Sequence, residues 1–304
     1  MDRRASVTKS GTIPSNEDMS AEASASEEQL ATWVRAAAAG DREAAHQVMR
    51  TVQDRVYRLA LRMLGHPQDA EDAAQEILVI VLTHLGSFRG ESAFSTWVWR
   101  IAARHLAEAR RGRREADSFE ELEGRLQSLR EEASPSGLEL EAESQVFAQE
   151  VRLRCTQAML LSLDRPSRIA YLLGDVFSLS GDEAAAVLEI DPATFRKRLA
   201  RARQRLYEFM RRQCGIFDPA NPCRCERVAA GAGARGLLSP ENLLFANHPT
   251  RPSPATIGRA ASEVKDLMRV AEVIREHADY TAPEALVMRL RSLLESGRLA
   301  LLDS

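Results

Sequence analysis

From Asp191 to Gln213 the chain reads "DPATFRKRLARARQRLYEFMRRQ", and its apolar residues Phe195, Leu199, Ala202, Leu206 and Phe209 step by four and three. That period puts them on one face of an α-helix; a strand, whose side chains alternate, cannot present them together. Asp191 suits the N-cap and Pro192 the first helical position. Thr194, Lys197, Arg198 and Arg201 lie opposite the stripe, with Arg196 and Arg205 at its flanks, and Pro192–Arg212 holds eight Lys or Arg against one acid, Glu208. The whole chain has a net charge of −3, so this is a local patch. A solvated face of an ordinary bundle helix would carry acids at i±4, and they are nearly absent. Just upstream, "SGDEAAAVLE" is a short helix capped by Ser180. Two helices and a tight turn make a helix-turn-helix, whose second helix can enter a major groove.

The same punctuation recurs along the 304 residues. Aromatics make up 5%, and no alternating Val/Ile/Thr runs occur. The reading is all-α. Residues 1–27 are a Ser/Ala/Glu-rich tail expected to be disordered. Residues 28–112 are a helical domain: a helix over 27–39, one capped by Asp41, one capped by Asp69, and a fourth over 95–111. Residues 113–147 are Glu-rich and read as a flexible acidic linker with a transient helix around 120–130. Residues 148–213 form the helix-turn-helix domain. Residues 214–258 read as a cysteine-containing loop. Residues 259–304 read as a helical hairpin with stripes Leu267, Val270, Val273, Ile274 and Leu286, Met288, Leu290, Leu293, Leu294. The hairpin is expected to pack on the second domain as a stabilising appendage, with a regulatory lid as the alternative. Neither a signal peptide nor a membrane span is found, and the cytoplasm is expected.

The third helix, "DAEDAAQEILVIVLTHL", sets Asp69, Asp72, Gln75 and Glu76 opposite its apolar stripe. Alone they read as a solvated acidic face at a helix start. After it, "SFRGESAFSTWVWRIAARHLAEARRGRR" interleaves Phe88, Phe94, Trp97 and Trp99 with Arg89, Arg100, Arg104, Arg110 and Arg111. Phe94, Trp97 and Ile101 have core spacing. Aromatic walls with nearby arginines also suit an unstacked base and its backbone.

"DAEDAAQEI", "FRGESAFSTWVWRIA" and "LSGDEAAAVLEIDPATFRKRLARARQRL", in this order, resemble the extracytoplasmic-function group of sigma-70-type initiation factors. The resemblance covers residues 28–112 and 148–213. It implies two helical domains, sigma regions two and four, that bind core RNA polymerase and promoter DNA. Asp69, Asp72, Gln75 and Glu76 would face the clamp coiled coil of the β′ subunit. The Phe88–Phe94 loop, with Arg89, would trap a flipped base of the minus-ten element, and Trp97, Arg100 and Arg104 would line the melted strand. Thr194, Arg196, Lys197 and Arg201 would approach the minus-35 element, with Arg198 and Arg203 on phosphate. The family often has Ser where this chain has Lys197, which moves Lys197 toward phosphate. No catalytic residue and no cofactor is required, and an anti-sigma protein is a further partner that the family allows. A stand-alone regulator of duplex DNA would have no use for the aromatic loop. An enzyme built on the carboxylates would need them to converge, whereas the helical period points them outward.

Cys214, Cys223 and Cys225 are spaced C-x8-C-x-C directly after the basic helix, and Cys155 lies 59 residues before Cys214 in the first helix of the second domain. Four thiolates suit a tetrahedral zinc or another thiophilic ion if Cys155 comes near Cys214. Redox sensing and an inert buried thiol are the alternatives.

Overall fold

The structure is a computed structural model, described here for residues 28–108, 118–133, 142–245, 270–271, 274 and 280–296. Among these residues the regular structure is helical. An isolated bridge pairs Cys214 with Cys223.

The first domain packs α1 (28–38), α2 (Arg42–Leu64), α3 (Pro67–Thr83) and α4 (Phe94–Glu108). Asp41 caps α2 by accepting the Ala44 N–H at 3.1 Å, and Gly65 ends it in the left-handed region. Helix α3 begins at Pro67, so Asp69 sits inside its first turn and is not the cap. Val48, Val52, Val56, Leu59, Ile77, Val81, Val98 and Leu106 fill the core.

The second domain contains α6 (Ala142–Leu161), α7 (Arg165–Tyr171) running into a π-helical turn (Leu172–Val176), α8 (Gly181–Val187) and α9 (Pro192–Gln213). Ser180 and Glu183 form a capping box on α8, and Asp191 caps α9 through the Thr194 N–H at 2.8 Å. Phe195, Leu199, Ala202, Leu206 and Phe209 are all buried, as their spacing predicts.

The region between the domains differs from its sequence reading. Residues 119–132 are α5 (Phe119–Glu132), closed by a Ser118/Glu121 capping box, with Phe119, Leu122, Leu126 and Leu129 buried. It is a docked helix and not a solvated tether. Its partner is α10 (Cys225–Ala234), inside the stretch expected to be loop. Helix α10 also packs on α6. Gly231 lies so close to the Leu129 carbonyl that a Cβ there would overlap it. Arg235 bonds Glu132 and Ser128, and Arg227 donates to the Arg130 carbonyl. The narrow apolar stripe of α5 is hard to see among its charges, and its cover lies about a hundred residues away.

The final described helix, α11 (Glu284–Glu295), buries Leu286, Leu290 and Leu294 against α2 and α3. This helix therefore rests on the first domain, where the appendage was expected on the second. Arg289 reaches Glu71 at 3.0 Å, and Asp54 accepts the Ala282 N–H at 3.0 Å. Met288, expected in the apolar stripe, is 63% exposed. The first arm of the hairpin lies largely outside the described residues.

The two domains touch directly. Helix α4 packs on α7 and α8, and α2 packs on α6 and α7. At the junction Arg168, almost wholly buried, donates to four carbonyls. Met63 O (2.6 Å) belongs to the first domain; Leu160 O (2.8 Å), Leu161 O (2.7 Å) and Leu163 O (2.9 Å) belong to the second. Met63, Leu160 and Leu161 lie in the last turns of α2 and α6, where carbonyls lack intrahelical partners. Trp99 meets Phe177 at 4.7 Å between ring centroids, and Arg62 lies over the same phenyl ring.

Candidate polymerase and nucleic-acid interfaces

On α3, Asp69, Asp72 and Glu76 are exposed and Gln75 is half-buried, while Ala70, Ala74, Ile77 and Leu78 point inward. The helical period thus produces one acidic strip. Glu76 lies 3.2 Å from His105 Nε2. Glu71, on a neighbouring face, is taken by Arg289 of α11, so α11 leaves the strip itself uncovered.

After α3 the chain turns through Leu85–Ser87 into the loop before α4, with Gly90 at φ 72°. Phe88, Phe94 and Trp97 form one aromatic cluster with centroid separations of 5.3 to 5.6 Å. Phe94 is buried, Phe88 and Trp97 are half-buried, and Arg89 is exposed beside them. The arrangement is an apolar platform with an adjacent cation. Trp99 is separated from it, because two positions on a helix turn it to the domain junction. Along α4 the face continues with Arg100 and Arg104. Arg104 is exposed and 3.6 Å from Glu108. Arg100 is half-buried, its Nε 3.9 Å from the carboxylate of Glu189 in the turn of the helix-turn-helix. This turn contact was not foreseen. Glu189 has a φ of 53°, and nothing local in sequence marks its reach to α4.

On α9 the expected reading face divides. Arg196, Lys197 and Arg201 are exposed, and Thr194 and Arg198 are half-buried. Arg203 is different: its Nε and Nη2 clasp the buried carboxylate of Asp175 at 2.9 and 2.6 Å. The pair locks α9 to the π-helical turn, and Asp175 raises the guanidinium's pKa further. Arg203 therefore has an internal partner where a phosphate was expected. Gly174 supports the same approach, since a Cβ there would press on Leu199 and Phe195. The hydrogen bond from Thr194 holds the carboxyl of Asp191 below its ordinary range. An ionised cap complements the positive end of the helix whose first turn carries the reading residues.

The family model for sigma-70 region 2 matches residues 48–116, and that for sigma-70 region 4 matches residues 153–206. The RNA polymerase sigma-H factor of Pseudomonas aeruginosa is 32% identical over 175 residues, 54% of this chain and 85% of that protein. The chain belongs to the sigma-70 family, in its extracytoplasmic-function group. The sigma factor SigW of Bacillus subtilis is 30% identical across 91% of its length, and sigma-E of Escherichia coli 32% across 85%. A solved structure of CnrH in complex with the cytosolic domain of CnrY shares 23% identity at a TM-score of 0.44, over 60% of this chain and 97% of that one. Matches to the three relatives span 54% to 57% of this sigma factor. Region 2 holds the acidic strip and the aromatic platform, and region 4 the basic helix. Among the described residues, no helix is long and apolar enough to cross a membrane.

Proposed function

We propose that this sigma factor binds core RNA polymerase through Asp69, Asp72, Gln75 and Glu76 and directs it to promoters at two DNA elements. The observation that supports the reading is the sorting of the three chemistries onto three separate surfaces: an acidic strip, a half-buried aromatic platform with arginines, and a basic helix. Arg196, Lys197, Arg198 and Arg201, with Thr194, engage the upstream element as duplex. Phe88, Arg89, Phe94, Trp97, Arg100 and Arg104 hold the downstream element as a single strand. Opening duplex costs about 1.4 kcal/mol per base-pair step, and an apolar platform that accepts an unstacked base offsets part of that cost. The polymerase supplies the chemistry in this reading, and the protein works in the cytoplasm. An anti-sigma protein is a further partner that the family admits.

The domain contact adds a requirement. Elements about 25 base pairs apart lie about 85 Å apart along duplex at 3.4 Å per pair. Two domains sharing the Arg168 and Trp99–Phe177 junction cannot reach both, so promoter engagement includes parting them. Run-off transcription with core enzyme tests the reading. The full chain should direct a discrete start, and a triple Asp69/Asp72/Glu76→Ala variant should lose co-purification with core. A chain that neither joins core nor directs a start would overturn it.

A further inference from the structure

The four cysteines, separated by up to 70 positions in sequence, line a single cavity of about 190 Å³ between α5, α6, the end of α9 and the start of α10. Cys155 comes from α6, Cys214 ends α9, and Cys223 and Cys225 lead into α10. Leu126, Val151, Met159 and Phe209 supply apolar wall. The loop between the thiols is braced from within. The Asn221 side chain donates to Met210 O, Arg211 O and Cys214 O, and Arg224 donates to Pro219 O, Asn221 O and Cys223 O. Gly215 N and Cys223 N complete the bridge that sets Cys214 beside Cys223.

Arginines surround these thiols. Arg130 and Arg224 are cations near the Cys223 sulfur. Arg152 lies near Cys225 and Arg125 near Cys155. Nη1 of Arg130 and Nε of Arg152 are buried donors with no acceptor. A neutral thiol is a weak acceptor; a thiolate is a strong one. A soft divalent ion supplies the acceptor that these donors lack. It draws the protons off, and the doubly negative tetrathiolate it leaves takes the orphan N–H donors as its outer partners.

We propose that Cys155, Cys214, Cys223 and Cys225 form a site for one thiophilic divalent cation of the zinc class. The ion ties the C-terminal end of the recognition helix to α6 and α10. Binding exchanges protons for metal, M²⁺ + 4 RSH → M(SR)₄²⁻ + 4 H⁺, with no change of oxidation state. As the side chains stand, no group of three or more potential ligands among the described residues is close enough to hold an ion. Closure is by rotamer: turning χ1 between staggered wells carries a sulfur about 3 Å.

The test uses the full chain, reduced and stripped with a chelator, and Co²⁺ as the probe. Expected are the visible bands of tetrahedral thiolate cobalt, saturating at one ion per chain, displacement of cobalt by Zn²⁺, proton release on binding, and a melting temperature raised by about 5 °C. Cys155→Ser and, as a variant at a less buried position, Cys214→Ser should each weaken cobalt affinity by about tenfold or more and lower the thiolate-to-cobalt charge-transfer band by about a quarter, while circular dichroism stays helical. The proposal is overturned by the absence of those bands in the parent chain, by charge-transfer intensity and cobalt affinity unchanged in both variants, or by thiols that pair as disulfide under peroxide while showing no affinity for cobalt. None of these readouts involves transcription, so failure here leaves the promoter reading untouched, and the reverse also holds.

Discussion

Replacing Arg168 with Met should be among the most damaging single changes in the chain. The side chain is 6% exposed and makes four hydrogen bonds between 2.6 and 2.9 Å, all to carbonyls. Hydrogen bonds from a charged donor contribute about 1.5–3 kcal/mol each, so the gross loss is roughly 6–12 kcal/mol. Removing a buried charge returns several kcal/mol of desolvation. Some of the freed carbonyls lie at helix ends and can admit water. The net expectation is about 3–5 kcal/mol. Burial lowers the guanidinium's pKa to about 10, still well above neutrality, so the protonated fork is the relevant species near pH 7. In urea unfolding, at a slope of about 2–3 kcal/mol/M, the midpoint should fall by about 1.5 M with the slope unchanged. Arg168→Lys keeps the charge without the planar fork and should fall between the two. A Met variant within about 0.3 M of the parent, or a Lys variant equal to it, would refute the argument that this fork holds the junction.

Arg201→Ala and Arg203→Ala, two positions apart, should behave oppositely. The first should weaken promoter-duplex binding and reduce the salt dependence by about one ion while leaving the urea midpoint in place. The second strands the buried Asp175 and should cost about 2–3 kcal/mol of stability, discounted because the guanidinium is half-exposed. Asp191→Ala should fray the start of α9 and lower duplex affinity. Protonation should do the same: the carboxyl's pKa is depressed in the folded state, so its contribution is complete above the unfolded value and is lost as pH falls through the folded one, below about 3.9. Circular dichroism across that range would show it. Gly231→Ala forces a Cβ against the Leu129 backbone and should detach α10 from α5 at a cost of about 1–3 kcal/mol, read by calorimetry.

Helix α9 was legible because everything that makes it is local. Its cap, its proline, its stripe and its charges lie within one run of residues, and burial followed the stripe at every expected position. The acidic strip of α3 was legible for the same reason. Arg203 was not: its neighbours in sequence are exposed cations, and only Asp175, 28 positions earlier, sets it apart. Asp175, a lone acid in the apolar run "YLLGDVF" before the motif, is the one sequence signal of a partner. Helix α5 was half legible, its existence foreseen and its docking missed, because a stripe records that something covers it and not what does.

The same distinction holds for the whole protein. Sequence alone determined the elements, their caps and faces and the sorting of charge among them, because helical period and capping chemistry act over one turn or a few. Tertiary structure decided which faces meet: α11 on the first domain, α5 under α10, Arg168 across the junction, and four separated cysteines around one cavity. Apolar burial is non-directional, so a stripe does not name its partner. Only shape, glycine clearance and the pairing of buried polar groups choose among the covers available.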